Sequence, residues 1–105
     1  MNQVSLTGRV VQVGSVRFTP AGLPVVEMLL EHMSSVTEAG VQRTIQMTYE
    51  VVALGGLAQS LADTPTGTAL LIQGFLAPVR KGSVKLVVHV QSAQRVDAGS
   101  DPVVV

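Results

Sequence analysis

Hydrophobic and polar positions alternate along most of this chain, and the clearest stretch is "VQRTIQMTYEVVA" at residues 41–53. Arg43, Ile45, Met47, Tyr49, Val51 and Ala53 fall on one side, and Gln42, Thr44, Gln46, Thr48 and Glu50 on the other. Successive side chains of a strand point to opposite faces, so this pattern predicts a half-buried strand. "SVKLVVHVQ" alternates as well, with Val84, Leu86, Val88 and Val90 set against Lys85, Val87, His89 and Gln91. In "VSLTGRVVQV" the apolar positions are first even (Val4, Leu6, Val10) and then odd (Val11, Val13). Gly8 stands just before that switch, where a strand is expected to bend or bulge at a barrel corner.

Turn residues separate the strands. "TPAG" at 19–22 places Pro20 and Gly22 at the second and fourth positions of a type I turn. Leu23 precedes Pro24 and is therefore predicted to be extended, leading into a second strand, "VVEMLLEHM". "SSVTEAG" at 34–40 is polar and predicts a loop between the second and third strands. "LAQSLAD" breaks the period-two pattern and predicts about two helical turns, stopped by Pro65 and Gly67. "TALLIQGFL" and "SVKLVVHVQ" follow as a hairpin, and "DAGSDPVVV" as a loose tail.

The predicted order is three strands, a short helix or loop, then two strands. With a bent, glycine-containing first strand, this is the order of an all-β, five-stranded OB-fold barrel whose short helix lies between the third and fourth strands. Other small barrels, SH3-like ones among them, share the strand count but differ in strand lengths and connections. The expected organisation is one domain at 1–96 and a flexible tail at 97–105, in keeping with a length of 105 residues.

Composition narrows the function. Apolar residues make up 47% and charged residues 13%, well below the roughly 25% of an average soluble domain. So few polar residues on a small chain predict that another subunit covers part of the surface. The formal net charge is zero, which by itself argues mildly against a generic nucleic-acid binder. The absence of Cys excludes disulfides, thiolate metal sites and Cys nucleophiles. Two His residues, His32 and His89, make no metal site without convergent partners. The N-terminus "MNQVSLTGRV" lacks the basic and apolar regions of a secretory leader. No apolar run approaches the ~20 residues of a membrane span, so a soluble, cytoplasmic protein is expected.

Charge is nevertheless clustered. Arg80, Lys81 and Lys85 lie within six positions at the turn between the last two strands, in a chain with only seven Lys and Arg. Two readings fit these residues alone: a solubilising hairpin tip, or a phosphate clamp.

Four blocks in order, "VSLTGRV", "VRFTPAGLPVVEMLLEH", "VVALGGLA" and "IQGFL", resemble the bacterial single-stranded DNA-binding protein superfamily over residues 2 to about 94. Within it, "LEH" at 30–32, a loop ending "EAG" at 38–40 with Arg43 shortly after, and "QGFL" at 73–76 are similar to the branch of primosomal replication proteins N (PriB). The resemblance implies a homodimer of OB barrels that binds single-stranded DNA and bridges the PriA helicase and DnaT when stalled replication forks restart. It implies no cofactor.

Single-strand binders combine cations along a groove with aromatic faces on which bases stack. On that pattern the expected DNA-binding residues are Arg80, Lys81 and Lys85 of the hairpin, Arg17 and Phe18 beside the first turn, and Arg43 at the start of the third strand. Phe18 can stack on a base or pack against a barrel end. Arg9 is expected to be solvated, and Gly55 and Gly56 to serve the backbone conformation. The only aromatics are Phe18, Tyr49 and Phe75. Tyr49 and Phe75 are expected in the core, and the third strand carries the amides Gln42 and Gln46 where the family commonly has aromatics. Binding is therefore expected to be weaker, more electrostatic and more salt-sensitive than in a stacking-rich relative. Catalysis is not expected: no nucleophile–base pair, carboxylate pair or metal cluster is visible, and Glu31 and His32 should point to opposite faces of their strand. A protein–protein adaptor with only weak DNA contact is the alternative. It gains if the five cations scatter over unrelated faces. Apolar residues of the first strand, with Met28, Leu30 and Met33, are the expected source of a dimer surface.

Overall fold

The computed structural model describes residues 1–96, and the tail expected at 97–105 lies outside the described residues. Six strands form one sheet: β1 (Val4–Val13), β2 (Arg17–Phe18), β3 (Pro24–Glu38), β4 (Val41–Leu54), β5 (Ala69–Pro78) and β6 (Leu86–Arg95). The helix α1 (Gly56–Leu61) lies between β4 and β5. The strand order is β1-β5-β6-β4-β3-β2, and β1 also pairs with β3, which closes the sheet into a barrel. The five long strands make the OB fold expected from the sequence, and β2 is a two-residue addition. Closure depends on a short seam in which β6 runs parallel to β4, pairing Val51 with Val88 and Val52 with His89.

Alternation decides what lies inside. Val10, Val26, Met28, Leu30, Val51, Leu70, Ile72, Val88 and Val90 form the core. α1 closes one end by inserting Ala58 and Leu61, with the half-buried Leu57 of the same "LAQSL" packed against the cluster. Its lead-in, Gly55, has φ 73°, and its amide donates to the Pro24 carbonyl at 2.8 Å. The "TPAG" turn forms as predicted, with the Gly22 amide donating to the Thr19 carbonyl at 2.8 Å. Among the described residues no helix is long and apolar enough to cross a membrane.

Four expectations are corrected. First, residues 34–38 are strand, not loop: β3 and β4 stay paired from Val25↔Leu54 to Glu38↔Val41. The chain reverses through Ala39 and Gly40, whose φ values of 52° and 78° are the left-handed pair of a two-residue hairpin turn. Second, the even-to-odd switch in β1 comes from a bulge at Val11, because Val10 faces Leu30 while Gln12 faces Leu29. Gly8 serves a different need: a Cβ there would lie 2.8 Å from the Tyr49 hydroxyl and 3.1 Å from Leu30 Cβ. Third, Met28 and Leu30 are core residues, so only Met33, 55% exposed, remains of the proposed apolar surface on β3. Fourth, Val84 is 97% exposed in the loop before β6 and is not part of the strand's apolar face.

The β3–β4 ribbon outruns the barrel. Pairing of β1 with β3 ends at Arg9↔Glu31, so beyond that point the ribbon has no third strand. At its root the Thr7 carbonyl accepts from the Tyr49 hydroxyl at 3.1 Å and from His32 Nδ1–H at 2.8 Å. Those two side chains supply the donors that a neighbouring backbone would otherwise provide. The other ring nitrogen of His32 accepts from the Ser34 hydroxyl at 2.9 Å.

Candidate nucleic-acid interface

Cross-strand partners share a face, so the register sorts the cations. Glu27, Leu29, Glu50 and Val52 lie on the outer face of β3–β4, opposite the core-facing Met28 and Val51. Arg17 pairs across β2–β3 with Val25, on that same outer face, and its guanidinium donates to Glu27 at 2.8 Å. Lys85 reaches Glu50 on the neighbouring row at 3.2 Å. Glu27 and Glu50 are diagonal neighbours, because Glu27 faces Val52 and Glu50 faces Leu29. Arg17 and Lys85 thus share the outer face but flank it, with β3, β4 and the two carboxylates between them.

Arg80 and Lys81 occupy the tip of the β5–β6 hairpin. The tip is a tight structure: the Val79 amide donates to the Lys85 carbonyl and the Ser83 amide to the Arg80 carbonyl, each at 3.0 Å. Gly82 supplies the positive φ, 82°, that the reversal requires. Among the described residues neither Arg80 nor Lys81 is ion-paired, whereas Arg17, Arg43 and Lys85 are. Arg43 stands apart. It faces Val36 on the other side of the ribbon and pairs with Glu38 at 2.6 Å. Three of the five expected cations therefore belong to one hairpin, Arg17 stands across β4 and β3 from them, and Arg43 lies on the other face. All three ion pairs are exposed on both partners, where such pairs contribute about 0–1 kcal/mol each. A phosphate can replace the carboxylate at little cost.

The aromatic residues divide differently from the expectation. Phe18 is 64% exposed at the edge of the sheet and does not pack into the barrel end. Tyr49 does belong to the core side, half-buried against the main cluster, and burial pushes its phenol up to about 12. Phe75, expected in the core, lies on the outer face of β5, half-buried and stacked on His89 with ring centroids 5.1 Å apart and planes within 10°. Gln73 marks the same set of positions as outward, a signal already present in "LLIQGFL". His32 is buried while its neighbour Glu31 is exposed, as alternation requires. A cleft of about 370 Å³ lies beneath the Lys85–Glu50 pair, lined by Leu6, Leu29, Tyr49, Leu76 and Val88 among others. Among the described residues no three His, Asp or Glu converge as metal ligands.

A family model described as "Another single-strand binding protein family" matches residues 2–92. Replication restart protein PriB of Bordetella pertussis is 53% identical over 106 residues, covering 99% of both chains. The chain belongs to the PriB family of single-strand binding proteins. The PriB of Nitrosomonas europaea is 37% identical over 93 residues, covering 89% of this chain and 86% of that protein. In structure, the PriB of Ralstonia solanacearum superposes with a TM-score of 0.83 at 32% identity, over 90% of this chain and 97% of that one. The single-stranded DNA binding protein of Thermus aquaticus shares the fold, with a TM-score of 0.74 at 24% identity over 93% of this chain and 51% of that one. PriB membership supports the barrel assignment and gives the cationic hairpin its context.

Proposed function

We propose that this protein binds single-stranded DNA in the cytoplasm as an accessory factor of replication restart, and that it bridges that DNA to the PriA helicase and DnaT. One observation carries the DNA-binding part. Arg80 and Lys81, free of ion pairs among the described residues, sit at the tip of the hairpin that carries Lys85, and Arg17 stands across β4 and β3 on the outer face that Lys85 reaches. In this reading the four cations meet successive phosphates without reading sequence, Phe18 offers an exposed ring at the edge of the track, and Arg43 contributes from the ribbon. PriB homologues carry the replication-restart role in their name. A homodimer is part of the same proposal. Residues 4–8 of β1 pair with β5 on one edge only, and Val11 and Met33 add exposed apolar area nearby. Sedimentation equilibrium showing a monomer at micromolar concentration rejects the dimer.

The test of DNA binding is fluorescence anisotropy of a labelled poly-dT oligonucleotide at low and moderate salt, comparing wild type with R80A/K81A/K85A. Salt-dependent binding by wild type, lost in the variant, is the expected result. Each phosphate contact contributes about 0.7 to the salt slope on a single strand, so the variant should lose about 2 from that slope. A wild type that does not bind, or a variant that binds equally well, makes the protein an adaptor working through protein contacts. The separation of Arg43 from the other four cations is the feature that favours this second reading.

A further inference from the structure

The β5–β6 hairpin carries no acidic residue: between Asp63 and Asp97 the sequence has Arg80, Lys81, Lys85 and Arg95 and no carboxylate. Its outer face, followed inward from the cationic tip, presents the cross-strand pairs Ala77–Val87, then Phe75–His89, then Gln73–Ser92. Phe75 and His89 are stacked nearly parallel and half-buried, and Val52 lies beside His89 through the parallel seam. The hydrogen bonds of the described residues include neither ring nitrogen of His89, and no buried polar side-chain atom lacks a partner. Both nitrogens are therefore open to water or a ligand. The Ser92 hydroxyl donates to Gln73 Oε1 at 3.2 Å, which leaves the Gln73 amide N–H groups facing outward.

We propose that the Phe75–His89 pair is a nucleobase-stacking step on the outer wall of the β5–β6 hairpin, a base-contact site in addition to the cationic track. The proposal rests on the DNA-binding reading above. Its chemistry is that of a single-strand site: cations hold the backbone while a base stacks on a ring face that the Phe75–His89 contact leaves uncovered, without its identity being read. From Phe75 to the end of β5 at Pro78 is three residues of strand, about 10 Å at the rise of a β-strand, and Arg80 lies two residues further into the turn, a span of about two nucleotides. A strand whose phosphates are held at the tip can therefore lay a base on the ring pair, with Gln73 next along the same wall. The pair is made of side chains 14 residues apart in sequence, and neither alone signals a platform. Charge complementarity selects the occupant, because the wall offers a polyanion only positive and neutral groups.

The test separates stacking from phosphate binding. Labelled dT oligonucleotides and abasic oligonucleotides of equal length present the same phosphates, but only the first presents bases. F75L and H89Q should each weaken dT binding by about ten-fold and leave abasic binding unchanged, whereas R80A/K81A should weaken both. On the wild-type protein, the His89 ring proton resonances should shift on addition of dT and not of the abasic strand, a readout that needs no variant to fold. Variants that bind dT like wild type, or His89 resonances unmoved by dT, overturn the stacking step while leaving the cationic track intact. A wild type that binds neither oligonucleotide overturns the DNA reading and the step with it. His89 resonances that move with protein concentration alone show that a second copy covers this wall, and they also overturn the proposal.

Discussion

Two hairpins project cations from this barrel, and they are built in opposite ways. The β3–β4 ribbon runs beyond the barrel without a third strand, and its one cation, Arg43, is tied to Glu38 of the same ribbon. The β5–β6 hairpin is held on both edges, with β1 against β5 and β4 against β6, and has no carboxylate of its own. The first is a lever pinned at its root by side chains. The second is a wall whose charge faces outward. The wall presents Arg80 and Lys81 without an ion pair among the described residues, whereas Lys85 and the ribbon's Arg43 must each first leave a carboxylate.

The largest expected effect comes from attacking the wall. A Cβ at Gly74 would lie only 1.8 Å from the His89 carbonyl oxygen, a backbone atom that cannot turn aside. Gly74→Ala should therefore cost about 3 kcal/mol or more, or prevent folding, as read by urea unfolding. A loss under about 1 kcal/mol would mean that β5 and β6 can separate locally and that the wall is no stiffer than the ribbon.

A smaller effect is expected at the ribbon's root. Tyr49→Phe removes one of two donors to the Thr7 carbonyl and leaves His32 in place, which should cost about 1 kcal/mol. Its pH signature is distinctive. The folded-state phenol titrates at about 12, above its ordinary value of 10.0, so the folded protein holds this proton more tightly than the unfolded chain. That contribution is complete below pH 10 and is lost as pH rises towards 12. Y49F should flatten this part of a stability–pH curve, and an unchanged curve would show that the phenol is not held in the folded state. The smallest effect is expected at the ribbon's tip. Ala39 occupies a left-handed conformation at φ 52°, and Asn tolerates it better, so A39N should stabilise the turn by about 0.5–1 kcal/mol. Slower amide exchange in residues 34–45, with the barrel unchanged, is the expected readout.

The barrel was legible where a strand has a core to face. Residues 41–53, the "TPAG" turn and the short helix show their periods because burial selects one set of positions. Residues 34–38 read as loop for the same reason: once the ribbon leaves the barrel neither face is buried, and polar residues fill both. Phe75 was misplaced because Leu70 and Ile72 face inward while Leu71 and Phe75 face outward, so β5 is apolar on both sets. Of the two inward positions beside Phe75, one is the glycine Gly74 and the other, Leu76, is 39% exposed, so neither marks the register by burial. The cations were found by clustering, but their partners were not. Glu27 and Glu50 reach Arg17 and Lys85 only through strand pairing.

The seam between β4 and β6 has a consequence for synthesis on the ribosome. Residues 9–13 of β1 can pair early with β3, but residues 4–8 pair only with β5, and β5 is joined to β4 only through β6, the last of the described strands to emerge. The contacts of β1 with β5 and of β6 with β4 are thus made late and over a long stretch of chain, the arrangement that slows folding. Until β5 leaves the exit tunnel, residues 4–8 of the first strand wait with an open backbone edge. During that interval this stretch is the part of the nascent chain most open to pairing with a second copy.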